Sequence, residues 1–246
     1  MVNKINLEIL RWVFRAWRYR LKVEKQEISF MLKQLKPGQT AIDIGAHKGA
    51  YTYWMSKYVG QYGKVFSFEP QPELYNQLNK LLNYSNSNNV NLESLALSSS
   101  KGEATMLIPG KKTSPSASIN TSKREGLVSK ITVEKTTLDD YFCSQNQIPV
   151  NFIKCDVEGH ELDVLLGAKK LLHTSKPIVA LESEARHCGA DNVMAVFKLL
   201  QELNYNGFFF NGASMSSLNN FDINEYQLDP NKNIYVNNFF FIPKKN

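Results

Sequence analysis

Hydrophobic and polar positions follow two different periods along this chain, and the two periods alternate. Residues 40–44 and 65–68 are short apolar runs rich in β-branched and aromatic side chains, which is typical of buried strands. Residues 48 to about 58, between these runs, have helical character. Leucines at helical spacing on residues 72–84 predict an amphipathic crossover helix. The order strand, loop, helix, strand predicts a right-handed βαβ unit.

The same pattern continues towards the carboxyl terminus. It predicts three further strands at residues 90–97, 151–156 and 177–181. It also predicts two further helices at residues 161–172 and 191–203. A closing pair of strands is predicted at residues 207–210 and 238–242. Alternating strands and helices predict an α/β fold with a doubly wound, mostly parallel sheet and a ligand at the carboxyl ends of its strands. The closing pair is expected to be antiparallel.

The chain is expected to divide into a helical arm, residues 1–36, and one larger domain, residues 37–246. Pro37 and Gly38 mark the boundary. Within the domain, residues 98–136 are predicted to form a hairpin insertion around a Lys/Thr/Ser/Pro-rich loop at residues 110–118. That loop could serve as a lid over a substrate, or it could be a disordered loop; the sequence does not distinguish these alternatives.

The arm combines an apolar stripe with a basic ridge at the same helical spacing. The stripe consists of Leu10, Val13, Phe14, Trp17 and Leu21, and the ridge of Arg11, Arg15, Arg18 and Lys22. Such a helix can lie on an anionic membrane surface or bind a polyanion. It can also pack on its own domain or form a dimer contact through residues 1–25, and packing of this kind is the interpretation we favour.

Composition limits the choice of function. The chain has 246 residues, 43% of them hydrophobic, and a net charge of +6. Seven basic and two acidic residues give the first 25 residues a charge of +5, so the domain itself is nearly neutral and no nucleic-acid partner is expected for it. No apolar stretch approaches the length of a membrane span. The three cysteines lack C-x-x-C spacing, which is consistent with a cytoplasmic location, at most peripheral to a membrane.

A glycine loop follows the first strand in the pattern D-x-G-x-x-x-G, formed by Asp43, Gly45 and Gly49. It lacks the middle glycine of a dinucleotide fingerprint and the Gly-Lys-Ser/Thr ending of a phosphate loop. An acid on the strand repels phosphate and attracts an ammonium group, a combination that suits S-adenosylmethionine (SAM). Glu69, at the end of the second strand, is placed to accept hydrogen bonds from ribose hydroxyls.

A second group of polar residues follows the strand at residues 151–156. Asp156 falls at the tip of that strand, and Glu158, His160 and Glu161 follow in the next turn. The fold directs this tip towards the reacting end of a bound nucleotide. An alternative is that the acids simply begin the next helix, where they interact favourably with its dipole; this alternative is credible for Glu161 and less so for Asp156.

Together these segments resemble the FkbM-type family of SAM-dependent methyltransferases. The matching stretches lie at residues 41–50, 68–70, 96–98, 137–140, 153–161, 164–168, 177–182 and 238–243. The resemblance implies a class I (Rossmann-like) methyltransferase fold and methylation of a hydroxyl on a sugar, a glycan or another natural product. It implies cofactor contacts by Asp43, Gly45, Gly49 and Glu69. Further cofactor contacts are expected from residues of the same segments, namely Ala46, Pro70, Leu97 and Asp156.

An alcohol needs a base to take its proton as it attacks the methyl group. The candidates are Asp156 and His160, with Glu158 beside them. A third group, Glu182, Glu184 and His187, follows the next strand. It could hydrogen-bond the acceptor, or less favourably bind a divalent metal ion that acidifies the hydroxyl.

Three other functions remain open at this point. The first is a nucleic-acid methyltransferase that uses the basic arm, and the second is a non-catalytic binding module that keeps the fold. The third is a nicotinamide-dependent oxidoreductase, which the missing middle glycine disfavours. The sequence does not identify the acceptor.

Overall fold

The structure, a computed structural model, describes residues 2–110, 112–119, 128–143, 148–229, 231 and 234–244. The helices in this part of the chain are α1 (Val2–Arg18), α2 (Lys25–Gln34), α3 (Ala50–Val59), α4 (Pro72–Tyr84), α5 (Leu138–Cys143), α6 (Glu161–Leu166), α7 (Lys169–Ser175), α8 (Ala185–Cys188) and α9 (Ala190–Glu202). The strands are β1 (Thr40–Ile44), β2 (Lys64–Phe68), β3 (Val90–Glu93), β4 (Ala96–Leu97), β5 (Gly102–Pro109), β6 (Val128–Thr136), β7 (Phe152–Cys155), β8 (Ile178–Glu182), β9 (Tyr205–Asn211), β10 (Ser214–Ser217) and β11 (Asn238–Pro243). Short π-helical turns cover Tyr19–Val23 and Asn224–Leu228.

Eight strands form the main sheet, in the order β10-β9-β11-β8-β7-β1-β2-β3. The five strands from β8 to β3 are parallel, and β11 lies antiparallel between β8 and β9. All five residues of β1 are buried, as expected for a central strand with helices on both faces. The predicted doubly wound, mostly parallel sheet with a closing antiparallel pair is confirmed.

Two predicted elements are each divided in the structure. The expected strand at 90–97 is β3 in the main sheet followed by β4, which pairs with β6 in a separate three-stranded sheet. The expected helix at 161–172 is α6 followed by α7. It breaks at Gly167, where a Cβ would lie 2.1 Å from the carbonyl oxygen of Ser98. The short polar strand β10, which pairs with β9, was not predicted.

The β-like runs of the insertion pair as a hairpin. Strands β5 and β6 are antiparallel along their whole length, from Gly102 opposite Lys135 to Pro109 opposite Val128. Residues 112–119 fold back onto the hairpin, and the backbones of Leu107 and Ser118 exchange two hydrogen bonds. Residues 120–127 lie outside the described part of the chain.

The arm packs on α3 through one face of α1. Trp12 and Ala16 are buried there, and the indole N–H of Trp54 donates to the carbonyl oxygen of Ala16 at 2.8 Å. The stripe predicted from spacing is not this face, because its large side chains other than Val13 are exposed. The small Ala16 allows close approach on the opposite side of the helix instead. Within the described part of the chain, no helix is long and apolar enough to cross a membrane.

Candidate active site

A pocket opens at the carboxyl ends of β1, β2 and β7. It encloses about 530 Å³ of space between atoms, including open solvent at its mouth. Its lining comes from the loops after these strands, from the segment between β3 and β4, and from the hairpin: Ile44, Gly45, His47, Phe68, Glu69, Pro70, Gln71, Leu95, Ala96, Leu97, Met106, Pro115, Ala117, Ile119, Asp156, Val157, Glu158 and His160. We call it the first pocket.

Glu69 is the buried carboxylate of the first pocket. One oxygen accepts the backbone N–H of His47 at 2.7 Å, and the other accepts the backbone N–H of Gln71 at 2.8 Å. Burial raises the pKa of Glu69 to about 7, against the lowering effect of these two hydrogen bonds. Each oxygen keeps a second lone pair. The carboxylate is therefore fixed in a position from which it can accept hydrogen bonds from two neighbouring hydroxyls.

The hairpin insertion forms one wall of the first pocket. The side-chain amide of Gln71 donates to the carbonyl oxygen of Ser114 and accepts the backbone N–H of the same residue, both at 3.0 Å. The hydroxyl of Ser118 donates to the carbonyl oxygen of Val157 at 3.3 Å. These contacts tie residues 112–119 to the ends of β2 and β7. Gln71 was not singled out in the sequence, because a glutamine after a strand carries no distinctive signal.

The two glycines of the loop after β1 have different roles. Gly45 has φ +78°, and a Cβ on it would lie 1.9 Å from the carbonyl oxygen of Asp156. It is a glycine because the loops after β1 and β7 approach each other closely there. A Cβ on Gly49 would instead meet Leu78 and Trp12. Gly49 is absent from the lining of the pockets on either side of the loop, so the structure gives it a packing role.

A second pocket lies beside the first. It shares Gly45, His47, Asp156, Glu158 and Pro115 with the first pocket, so the two meet at the tip of β7. Its remaining lining comes from the arm, the glycine loop, the start of α3 and the central strands: Arg15, Tyr19, Glu24, Asp43, Ala46, Lys48, Ala50, Tyr51 and Lys154.

Charges of both signs line the second pocket. Asp43 accepts a hydrogen bond from the Thr52 hydroxyl at 2.5 Å, and burial raises its pKa to about 6. The ammonium of the buried Lys154 lies 3.8 Å from an Asp156 oxygen and has no hydrogen-bond partner in the described part of the chain. The pocket can therefore satisfy a zwitterionic group.

His160 lines the first pocket, but both of its ring nitrogens face neighbours. Nε2 lies 3.0 Å from the Ser98 hydroxyl, and Nδ1 lies 3.6 Å from an Asp163 oxygen. Burial lowers the pKa of His160, so the ring is neutral near pH 7. To act as a base towards an acceptor it would first have to break one of these contacts.

Glu158 connects the pockets to the third group of candidates. It has φ +55°, a left-handed conformation that non-glycine residues rarely adopt and that recurs at functional sites. Its carboxylate lies 3.1 Å from His187 Nε2, and that nitrogen is also 3.5 Å from Glu184. The sequence pattern did not reveal this conformation.

The residues expected to contact the substrate or a metal ion are held mainly by neighbouring side chains. The Asn237 amide donates to Glu182 at 2.8 Å and to Glu184 at 2.7 Å, and Glu184 also pairs with Arg186. Burial raises the pKa of Glu182, and the nearby Asp156 raises it further. Across the described ranges, no group of three or more His, Cys, Asp or Glu side chains could hold a metal ion.

His47 was left out of the expected site but lies at its centre. It lines both pockets and has φ +49°. Burial, reinforced by the charge of Lys48, lowers the pKa of His47 to about 4, so its ring is neutral at physiological pH. Its backbone conformation is the feature that marks it, and the sequence gives no signal for that.

Comparison with known proteins gives a consistent result. A model of the methyltransferase FkbM domain matches residues 43–210. The chain is 30% identical over 194 residues to the hexuronic acid methyltransferase AglP of Haloferax volcanii, an alignment that covers 77% of this chain and 73% of that protein.

Solved structures agree on the fold. Methyltransferase FkbM from Methylobacillus flagellatus KT superposes with a TM-score of 0.52 at 14% identity. The match covers 95% of this chain and 54% of the other, so this chain spans about half the length of that protein. An rRNA methylase from Streptococcus thermophilus superposes with a TM-score of 0.51 at 11% identity, covering 89% and 95% of the two chains. At these identities the likeness concerns the fold alone.

Proposed function

The chain belongs to the FkbM family of SAM-dependent methyltransferases, and from this premise we propose that it methylates a hydroxyl group of a sugar or glycan, with hexuronic acids as the first acceptors to test. The observation that carries the proposal is the position of two carboxylates. Glu69 and Asp156 stand at the tips of β2 and β7 around one pocket, and Asp156 also borders the second pocket. Membership of this family excludes the nicotinamide-dependent oxidoreductase.

Bound SAM would supply a methyl group already activated by a sulfonium, so the main tasks of the protein are alignment and exclusion of water. The first pocket suits the adenosine part. The fixed carboxylate of Glu69 can accept hydrogen bonds from the ribose hydroxyls, and Leu97 and Met106 provide apolar walls for the base. Residues 112–119 shield this pocket from water on the hairpin side.

The second pocket suits the amino-acid end of the cofactor, which carries one ammonium and one carboxylate. Asp43 is the buried acid on that side, and Arg15 and Lys48 are basic residues of the same lining. Neither Arg15 nor Lys48 forms an ion pair with another residue that the structure describes. The mixed charges match a zwitterion better than they would match a phosphate.

The acceptor hydroxyl is proposed to approach where the two pockets meet. Asp156 is the base that we assign to it, because its side chain is 30% exposed at that junction, whereas Nε2 of His160 is within hydrogen-bond distance of the Ser98 hydroxyl. A positioned base of this kind typically contributes roughly 10²–10⁴ in rate. Glu158 and His187 would orient the acceptor by hydrogen bonds to its other hydroxyls.

The proposal that the acceptor is a sugar is supported by the similarity to AglP. The proposal that the methylated atom is an oxygen is supported by the carboxylate base and by the resemblance of the sequence to the FkbM-type family. AglP is a hexuronic acid methyltransferase, and glycan hydroxyls are the acceptors that polar groups such as Glu158 and His187 can recognise. A requirement for a divalent metal ion is not part of the proposal.

The test has two stages. Calorimetric titration with S-adenosylhomocysteine (SAH), with NAD as the control ligand, should give saturable binding to SAH alone. Mass spectrometry should then detect a mass increase of one methyl group on glucuronides incubated with SAM, and a smaller yield with the matching neutral glucosides. Failure to bind SAH would refute the cofactor assignment. SAH binding without transfer to any sugar would favour the non-catalytic binding module or a different acceptor.

A further inference from the structure

The arm presents an apolar face to solvent that the fold leaves uncovered. Its large side chains lie on the side of α1 opposite the buried Trp12 and Ala16, and they recur every three or four residues. We call this set the arm stripe; it comprises Leu7, Leu10, Phe14, Trp17 and Leu21, with exposures of 47%, 64%, 72%, 42% and 57%. Isolated exposed apolar residues are ordinary, whereas a continuous row of five marks an interaction surface. We propose that this face binds an anionic lipid surface.

The position of α1 is fixed by its other face, so the stripe cannot turn inwards without loss of packing. Trp12 and Ala16 are buried against α3 and the glycine loop, and the Trp12 indole donates to the carbonyl oxygen of Gly49 at 3.0 Å. The indole N–H of Trp54, on α3, donates a hydrogen bond to the carbonyl oxygen of Ala16. The helix is therefore anchored to the domain with its stripe outwards.

The charge around the stripe is positive and uncompensated. Arg11, Arg18 and Lys22 flank it and are exposed, and none of them forms an ion pair with another residue of the described chain. The two acids among residues 1–25 are engaged elsewhere: Glu8 pairs with Lys80 at 2.8 Å, and Glu24 is largely buried and accepts the Tyr51 hydroxyl.

This charge distribution decides between possible occupants. A second copy of the chain would bring two basic faces together without acids to pair them, which is unfavourable. An anionic bilayer satisfies both features, because acyl chains accept the stripe and the headgroups attract the arginines. A nucleic acid would satisfy the arginines but leave the leucines and Phe14 exposed.

The stripe also contains an interfacial tryptophan. The Arg20 guanidinium lies 5.3 Å from the centroid of the Trp17 ring and 4.4 Å from that of Trp54. An amphipathic aromatic ring beside a cation is typical of residues at the level of lipid headgroups. Arg15 lines both the outer groove of α1, with Leu10 and Phe14, and the second pocket. A bilayer on the stripe would therefore lie close to the candidate active site.

The proposal can be tested without any methyl transfer. The full chain is mixed with vesicles of phosphatidylcholine alone, or of phosphatidylcholine with phosphatidylglycerol, and bound protein is measured by co-sedimentation at several salt concentrations. We expect binding to the anionic vesicles only, weakening as salt is raised. Leu10→Glu/Phe14→Glu should weaken it at least about tenfold, and Arg11→Gln/Arg18→Gln about fivefold for each charge removed.

Matched variants control for charge and exposure. Tyr84→Glu/Met194→Glu adds the same charge as Leu10→Glu/Phe14→Glu, at exposed apolar positions elsewhere. Lys64→Gln/Lys169→Gln removes the same charge as Arg11→Gln/Arg18→Gln. Both control proteins should bind vesicles like the wild type. Unchanged thermal melting and SAH binding would show that the stripe variants remain folded.

Three results would overturn the proposal. The first is no binding of the wild type to anionic vesicles. The second is a dimer in light scattering that Leu10→Glu/Phe14→Glu dissolves, because this would identify a second copy as the occupant. The third is salt-sensitive binding of RNA or DNA with no vesicle binding, because this would identify a nucleic acid.

Discussion

The indole nitrogen of Trp12 donates a hydrogen bond to the carbonyl oxygen of Gly49, 3.0 Å away. This bond joins the first helix of the arm to the last residue of the glycine loop. Gly49 has no room for a side chain at this point, because Leu78 and Trp12 occupy the space. The arm is therefore part of the structure that holds the loop in place, although it precedes the residues that the family model matches.

Trp12→Ala should therefore destabilise the protein strongly. Removal of a buried tryptophan typically costs about 3–5 kcal/mol of the free energy of unfolding, measurable by urea denaturation. The control is Trp17→Ala on the same helix, where the ring is 42% exposed, and a loss of about 1 kcal/mol is expected. Equal losses in the two variants would contradict a structural role for the buried face.

Gly45→Ala should damage both the fold and the site. Its Cβ would lie 1.9 Å from the carbonyl oxygen of Asp156, at φ +78°, so the loops after β1 and β7 would have to separate. Gly38→Ala is a matched control, because Gly38 has φ +82° but a Cβ there would have nothing within 4 Å. The control should lose only about 1–2 kcal/mol of stability and bind SAH normally. Normal SAH affinity of Gly45→Ala in calorimetry would refute the close-approach argument.

The sequence predicted the sheet well, because buried parallel strands and amphipathic helices have strong periodic signals. It also placed Glu69 and Asp156 at strand ends, where topology alone brings them to one edge. It could not place Gln71, whose partner Ser114 is distant in the chain, or the left-handed backbone of Glu158. Such features depend on contacts between loops, and periodicity carries no information about those contacts.

The arm shows where pattern reasoning was misleading. Spacing identified the apolar stripe and the basic ridge, but the face that packs on α3 contains one tryptophan and one small residue, Trp12 and Ala16. A side chain as small as Ala16 adds little to an apolar pattern, yet it permits the close contact with Trp54. Only the shape of the opposing surface could reveal which face would be buried.

The buried carboxyl groups contribute stability to the unliganded protein that is lost as pH rises from about 4.5 to 7. Burial raises the pKa of Glu69 and of Glu161 to about 7, above the ordinary value of 4.5 expected for the unfolded chain. Between these values the two carboxyl groups hold more protons in the folded than in the unfolded state, so their contribution to the free energy of unfolding falls as pH rises.

Glu69→Gln should reduce that slope, because the amide does not titrate. The free energy of unfolding of the variant and the wild type, measured by urea denaturation at several pH values, should differ by a pH-dependent amount. The difference in free energy of unfolding between the two proteins should change by roughly 3 kcal/mol from about pH 4.5 to about pH 7. Parallel curves for the two proteins would show that Glu69 is not titrating in this range.

Asp156→Asn should lower turnover with little effect on cofactor affinity. The amide keeps the size of the side chain but cannot take the acceptor proton, so we expect kcat to fall by roughly 10²–10⁴ while SAH affinity stays within a few-fold. His160→Ala should reduce kcat less, because the Nε2 of this histidine already faces the Ser98 hydroxyl at 3.0 Å. A larger loss in His160→Ala would transfer the base role to the histidine.

Arg15→Ala tests how the arm contributes to the cofactor site. The test compares two ligands as well as two proteins. SAH carries the carboxylate proposed to pair with Arg15, whereas methylthioadenosine lacks the whole amino-acid end. Loss of a hydrogen bond to a charged group costs about 1.5–3 kcal/mol, so SAH affinity should fall roughly 10- to 150-fold. Affinity for methylthioadenosine should not change in calorimetric titration.

The control is Arg18→Ala, which lies one helical turn away and outside the lining of the second pocket. This variant should bind both ligands like the wild type. An equal loss for both ligands in Arg15→Ala would mean that the arginine supports the shape of the pocket, and no loss for either would place the cofactor's carboxylate elsewhere.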